Sequence, residues 1–469
     1  MRSRWILVAC ALVALLPLSV TAQPVDIILH NGTVLTMNPA QPRARALAIS
    51  GNQIIAVGGQ GTVNRLGGRG TRRINLKGKT VLPGFVDPHN HALGTYVPGS
   101  SFDELDELQQ FALEGGVTSL GDPAMLPFRM FDLMEAIKTT DLRVRVGVYL
   151  MYNTKCNGVV LPGSNWIESF PPDRDPHHML RVLGIKIFGD SGQPLPPYCG
   201  WAATDAELPQ WVQDETGAGP HGELAISVEE MTEVISKYQE LGYQTVFHAR
   251  GDRVIDAALD AIELALNGQP NTYRHRIDHN DLVRPDQLTR FGLLGVSPVV
   301  RVKPNYLGAP TCYVESLGGV HPFGEVAHPW SRVVRSLIEV NPGLPVAWHS
   351  DNFYPATNRH PMSDLWELIT RKEVDYFDES HVCEPTLWLT RDAPTVEQAL
   401  RMMTINAAYT LFLEESVGSL QPGKFADVIV LSDNPLTVDP DSLRDIDVLM
   451  TMVGGKVEHC LPGHDLKCN

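Results

Sequence analysis

Three things are scarce in this chain of 469 residues, and each scarcity removes a class of function. Beyond residue 22 no segment approaches the ~20 continuous apolar residues of a membrane-spanning helix, so none is expected. Lysine and arginine number 38 against 54 aspartates and glutamates, giving a formal net charge of −16, and the cations are not clustered. Nucleic acid and anionic membrane surfaces are therefore not expected as partners, because both are bound through grouped basic residues. Cysteine is limited to seven residues, with no Cys-x2-Cys pair of the kind that holds structural zinc.

What is present begins with a leader. Arg2 and Arg4 precede a short apolar core, Trp5–Leu18, and Val20-Thr21-Ala22 offers the small residues a signal peptidase accepts. Residues 1–22 read as a signal peptide cleaved before Gln23, which implies an exported chain, periplasmic or secreted, with no membrane anchor after cleavage. The box Leu7-Val8-Ala9-Cys10 has lipoprotein character but lies too early, with hardly any apolar run ahead of it. Loss of Cys10 leaves six cysteines, Cys156, Cys199, Cys312, Cys383, Cys460 and Cys468. An oxidising compartment favours disulfides over free buried thiols, with about 15 pairings open and Cys460 with Cys468 the easiest local one.

From Gln23 onward the chain has three parts. Val25–Leu29 and Val34–Met37 flank Asn31-Gly32, and Ala46–Ser50 and Ile54–Val57 flank Gly51-Asn52, which predicts two tight hairpins. The far end matches: Pro422-Gly423 precedes the apolar run 426–430, and Val448–Val453 and Lys456–His459 flank Gly454-Gly455. Neither end has enough strands to bury a core, so 23–80 and 414–469 are expected to form one composite β-sandwich. Between them, 81–413 alternates short apolar runs with helical stretches, the pattern of βαβ units. Eight candidate strands lie near 81–87, 117–121, 143–150, 182–188, 244–248, 275–279, 295–300 and 344–350. Helices are expected at Phe102–Glu114, Phe128–Lys138, Val228–Leu241, Asp252–Asn267, Pro285–Phe291 and Val396–Leu413. The fold class is thus α/β, a (β/α)8 TIM barrel inserted in a small β-sandwich made by the two terminal segments.

The C-terminal ends of barrel strands carry the chemistry in such folds. Here the first ends in Asp87-Pro88-His89-Asn90-His91, the fourth carries Lys186, the fifth ends in His248, the sixth in His279 and the eighth in Asp351. Singly, each has a bland reading: a core histidine, a snorkelling lysine, a capping aspartate. Six metal-compatible side chains at five strand ends of one barrel are another matter. Lys186, flanked by Ile185 and Ile187, is disfavoured as an ammonium by burial, and a neutral amine can take up carbon dioxide as an anionic carbamate.

These stretches resemble the amidohydrolase superfamily, in its amidohydrolase-3 or YtcJ-like branch. The likeness runs through PGFVDPHNH, GIKIFGDSG, FHARGDRVIDAALDAIE, RHRIDHNDLV, HSDNF, TVEQALRMMTINAA and GSLQPGKFADVIVLSDNPL. The resemblance implies that His89 and His91 bind one metal, His248 and His279 a second, that Lys186 is a carbamylated bridge, and that Asp351 is both ligand and general acid/base. Metal identity is open: the His and oxygen donor set suits two zinc ions, with iron, manganese or nickel as alternatives. The chain departs from the branch at Asp190-Ser191-Gly192, where relatives usually read Asp-Gly-Ser, in the Pro-rich loop that follows, and in a short segment between the first two strands.

The expected function is that of an exported metal-dependent hydrolase acting on a non-peptide C–N bond in an N-acyl or N-formyl amine or a related small amide. Water bridging two cations about 3.5–4 Å apart would be the nucleophile, with Asp351 moving its proton to the departing nitrogen. Alternatives are an ester, lactone or phosphoester hydrolase on the same site, or a non-catalytic binding protein. The partner is a small-molecule substrate, with a homo-oligomer left open. His349 is read as core or ligand-supporting, and Asp278 as facing away from His279 in a structural role. Asp190 and Arg250 fall where ligands are oriented, and Asp252 is expected as a helix N-cap rather than part of an adhesion tripeptide. Tyr152, Asn153, Arg301, Lys303, Asn352, Phe353 and Tyr354 are candidates for the pocket wall, with loop packing the alternative for each.

Overall fold

The computed structural model describes residues 25–93, 105–153, 164–190, 204–205, 207, 210, 213–214, 219–301, 330–351, 360–374, 381–385 and 390–468. The leader at 1–22, Cys156, Cys199, Cys312, Lys303, Asn352, Phe353 and Tyr354 lie outside them.

Two large sheets organise the chain. The first runs Lys456–Cys460, Val448–Val453, Val428–Leu431, Thr80–Pro83, Ile27–Leu35, Arg43–Ser50 and Gln53–Gly58, with Arg72–Asn75 pairing in parallel with Ile27–Leu35. Its two halves come from opposite ends of the chain and meet where Val428–Leu431 lies antiparallel to Thr80–Pro83. Alternate residues of both halves, among them Leu29, Leu47, Val81, Val428, Val430 and Met450, share one buried cluster. Gly454 and Gly455, at φ 53° and 79°, supply the left-handed turn that a two-residue hairpin requires. The disulfide Cys460–Cys468 closes the tail, and Cys383 is disulfide-bonded as well.

The second sheet is the barrel. Phe85–Asp87, Val117–Met125, Arg145–Met151, Leu180–Phe188, Gln244–Ala249, Arg276–His279, Ser297–Arg301 and Ala347–His349 stand side by side in chain order, each parallel to the next. Between the last strand and the first the ladder stops. There the Trp348 indole N–H donates to the Val86 carbonyl at 2.9 Å, and the Asp351 N–H to the His89 carbonyl at 3.1 Å. Helices cover the outside; Asp252–Leu266, for example, buries Ile255, Ala258, Leu259 and Ile262, the i, i+3, i+4, i+7 stripe of a core-facing helix. The fold is therefore α/β, a (β/α)8 barrel with a small β-sandwich built from both termini. No helix of the described residues is long and apolar enough to cross a membrane.

The halves are fastened by charge as well as by burial. Arg145, opening the third barrel strand, donates from Nε and Nη2 to the Asp427 carboxylate at 2.8 and 3.2 Å, with both side chains buried. Such a two-pronged pair fixes orientation, and cutting one partner leaves the other charge buried, at a cost of about 3–5 kcal/mol.

Three expectations need correction. The run 81–87 is not one strand: Thr80–Pro83 belongs to the terminal sheet and Phe85–Asp87 to the barrel. Gly84 stands at the break, where a Cβ would lie 2.2 Å from Thr118 Oγ1. Asn31-Gly32 is not a hairpin turn but a bulge within Ile27–Leu35, with Asn31 at φ 62° and the register shifting between His30 and Val34. The stretch 396–413 divides into Val396–Met402 and Ile405–Thr410, because Thr404 leaves helical geometry at φ −131° and ψ −96°.

Candidate metal centre at the barrel mouth

The first strand delivers its histidines through a braced turn. The Asp87 carboxylate accepts the Ser350 hydroxyl at 2.5 Å and the His89 N–H at 3.4 Å. The Asn90 N–H donates to the Gly121 carbonyl at 2.9 Å, and Leu93 N–H to the Asp122 carboxylate at 2.8 Å. Burial pushes the Asp87 carboxyl up to about 7, even against its hydrogen bonds from Ser350. The result is that His89 and His91, 1% and 6% exposed, are presented edge to face with ring centroids 5.1 Å apart.

Asp351 meets them from across the seam. Its Oδ1 lies 3.1 Å from His91 Nε2 and 3.5 Å from His89 Nε2, while Oδ2 lies 3.3 Å from Arg301 Nη2. Burial opposes the charge on Asp351, but Arg301, His91, His279 and His89 together hold its carboxyl well below the usual range. Asp351 adopts φ 55°, a left-handed conformation that turns its side chain back over the mouth instead of continuing the pleat.

The fifth and sixth strands supply the other pair. His248 and His279 stand with ring centroids 4.1 Å apart, and His279 is 4.8 Å from His89. His279 has φ 80°, so it too leaves its strand. That twist overturns the expectation for Asp278. Arg276 and Asp278 occupy the interior face of the sixth strand, Ile277 packs outward, and the backbone then reverses, so Asp278 and His279 both reach the interior. Asp278 Oδ2 accepts His89 Nδ1–H at 2.7 Å and lies 4.0 Å from Lys186 Nζ, with Arg276 Nε 3.0 Å from the other oxygen. Lys186 is fully buried on the fourth strand, opposite Met151 and Val246.

All six residues singled out from the sequence therefore share one mouth. His349 joins them: its ring stacks on His89 at 4.5 Å and meets His279 at 4.9 Å, and His89, His349 and Asp351 form one candidate ion-binding group. Spacing shows that His349 shares a face with Asp351, and only the seam brings it to His89. Asp190 accepts the N–H groups of Arg250 and Gly251 and lies 3.6 Å from His248 Nε2. The adhesion reading of 250–252 is excluded, since all three residues are buried; Gly251, not Asp252, is the helix N-cap. Among the pocket-wall candidates, Asn153 clasps the Phe188 backbone in both directions at 2.8 and 2.9 Å, and Tyr152 packs toward Tyr238. Arg301 alone of the described candidates touches the centre.

The donors fit a divalent cation. Ligand atoms about 2.0–2.1 Å from a tetrahedral ion stand roughly 3.4 Å from one another, close to the 3.5 and 3.1 Å that separate Asp351 Oδ1 from His89 Nε2 and His91 Nε2. Both ring nitrogens of His279 and of His349 are buried with no hydrogen-bond partner among the described residues. Burial holds His89, His279 and His349 well below the usual imidazole range, which keeps them neutral, as ligands must be.

A family model described as the amidohydrolase family matches residues 105–459. The chain belongs to the amidohydrolase family. This amidohydrolase is 27% identical over 293 residues to an N-substituted formamide deformylase of Arthrobacter pascens, covering 60% of this chain and 46% of that protein. It is 23% identical over 230 residues to the putative amidohydrolase YtcJ of Bacillus subtilis strain 168, covering 49% and 40%, in line with the branch its motifs resemble. Among solved structures, an uncharacterised metal-dependent hydrolase from Pyrococcus furiosus superposes with a TM-score of 0.65 at 20% identity, covering 88% of this chain and 100% of the other. That likeness concerns the fold, whereas the matched family is one of metal-dependent hydrolases with small-molecule substrates.

Proposed function

We propose that this amidohydrolase is exported and cleaves a non-peptide C–N bond, in an N-formyl or N-acyl amine or a related small amide. The observation that carries the reading is that Asp351 Oδ1 stands 3.1 Å from His91 Nε2 and 3.5 Å from His89 Nε2 at the mouth. His248 and His279 would hold a second cation, and Lys186, as its carbamate, would supply an anionic ligand. The Arthrobacter relative, a deformylase of N-substituted formamides, supports C–N chemistry.

Divalent cations held there, zinc foremost, would acidify water and polarise a carbonyl. The chain's own groups do the rest. Asp278 accepts the Nδ1–H of His89, which holds the proton on that nitrogen and leaves Nε2 as a lone-pair donor toward the mouth. Asp351 accepts the proton of the attacking water on a carboxylate oxygen and returns it to the amide nitrogen, which cannot depart unprotonated. Arg301 restrains the other oxygen, so the carboxylate turns one edge to the reaction. The deciding experiment is a panel of N-formyl and N-acyl amines, esters, lactones and phosphoesters offered to metal-replete protein, with elemental analysis of protein purified without added metal. Turnover of formamides or amides with bound divalent metal is expected. Turnover of esters alone, or full activity after chelation, sinks the reading.

A further inference from the structure

At the opposite end of the barrel the strands begin rather than end, and four arginines stand there: Arg174, Arg181, Arg274 and Arg276. They close on the chain that follows the helix Ile405–Thr410. Arg276 Nη1 donates to the Thr410 carbonyl at 3.3 Å and Arg181 Nη1 to the Leu411 carbonyl at 3.1 Å. The Arg174 guanidinium lies 3.7 Å over the Phe412 ring and Arg274 4.7 Å from the same ring. Two of the four are neutralised, Arg276 by Asp278 at 3.0 Å and Arg274 by Glu414 at 2.6 Å.

The other two are not. Neither Arg174 nor Arg181 makes an ion pair among the described residues. Arg181 is 1% exposed; its Nε and Nη2, and Nη1 of Arg174, are buried with no hydrogen-bond partner among the described residues. Burial lowers both guanidiniums only to about 10, so both are cations at neutral pH. The nearby Asp173 acts electrostatically on both, but it is one carboxylate facing two guanidiniums, and its oxygens are turned to His178 Nδ1 at 2.7 Å and the Asp175 N–H at 2.8 Å. Arg181 and Arg174 close on consecutive residues, Leu411 and Phe412; the charge of Arg174 is felt at Arg181, and both act on the buried Tyr149 phenol. Water can satisfy their N–H groups but not their charge, and buried charge persists only when paired.

We propose that a small inorganic anion, either a halide or an oxyanion of phosphate size, is held between Arg174 and Arg181 at the barrel floor as a structural counter-ion. Fixed guanidinium forks with free donors are what such anions bind. The site is remote from the mouth and independent of the hydrolytic reading. The test is thermal unfolding of the full chain in sodium gluconate at constant ionic strength, with chloride or phosphate replacing gluconate stepwise. A saturable rise in Tm of roughly 2–5 °C is expected, lost in Arg181→Met and, should that variant not fold, in Arg174→Met. A response to chloride, with a bromide anomalous peak between the two guanidiniums in soaked crystals, identifies a halide; a response to phosphate alone identifies an oxyanion. Equal Tm in all three salts, or an undiminished response in a folded variant, overturns the proposal.

Discussion

The Asp278 carboxylate accepts a hydrogen bond from the Nδ1–H of His89 across 2.7 Å, joining the sixth barrel strand to the first. One buried acid thereby fixes which nitrogen of a candidate ligand faces the mouth. Replacing it with asparagine keeps the shape but allows the amide to donate to Nδ1 and place the proton on Nε2. Asp278→Asn should weaken metal affinity by about 10–100-fold while the far-ultraviolet circular dichroism stays unchanged. Competition against a chelator measures it, and wild-type affinity would show that the contact has no orienting role.

Lys186 is judged by chemical rescue. Lys186→Ala should abolish turnover, and short carboxylic acids with bicarbonate should restore part of it, because a free carboxylate can occupy the volume the side chain vacates. Retention of full activity would remove the bridging role of Lys186.

Asp351 separates binding from turnover. Asp351→Asn keeps an oxygen near His89 and His91 but cannot take up a proton, so kcat should fall about 10²–10⁴-fold while the metal content per chain holds. Parallel loss of metal and activity would make the residue a ligand only.

His275 makes stability depend on pH. Its Nδ1 accepts the Thr245 N–H at 2.9 Å, and burial, aided by Arg174, lowers the imidazole from 6.5 to about 3. Below 6.5 the unfolded chain takes a proton that the folded one refuses, so this contribution is complete above 6.5 and lost as pH falls toward 3. The loss is on the order of 4–5 kcal/mol over that window. Urea midpoints at pH 7, 6, 5 and 4 should decline less steeply for His275→Gln than for wild type; parallel curves would exclude the histidine as a source.

The barrel could be read because its signals are local. Val117–Met125, Leu180–Phe188 and Gln244–Ala249 are short apolar runs, and His89, His91, Lys186 and His248 sit where a period of two puts them. What escaped depends on backbone that leaves the expected region. Asp278 was assigned outward because strict alternation sets neighbours on opposite faces, and the φ of 80° at His279 cancels that rule. Asn31-Gly32 has the composition of a hairpin turn, yet its left-handed residue serves a bulge because the strand continues against Arg43–Ser50. His349 gained its importance from a neighbour some 260 residues earlier in the chain, which no window of sequence displays.

The gap between the last and first strands has one more consequence. His89 and Asp351 are tied there by one backbone hydrogen bond, with the Trp348 indole and the Ser350 hydroxyl as the clasps beside it. Any breathing motion that unzips the cylinder at this point draws the two side chains apart together. A cation held as proposed would then leave only as the wall opens, so how tightly the ring is buttoned would set how long it stays.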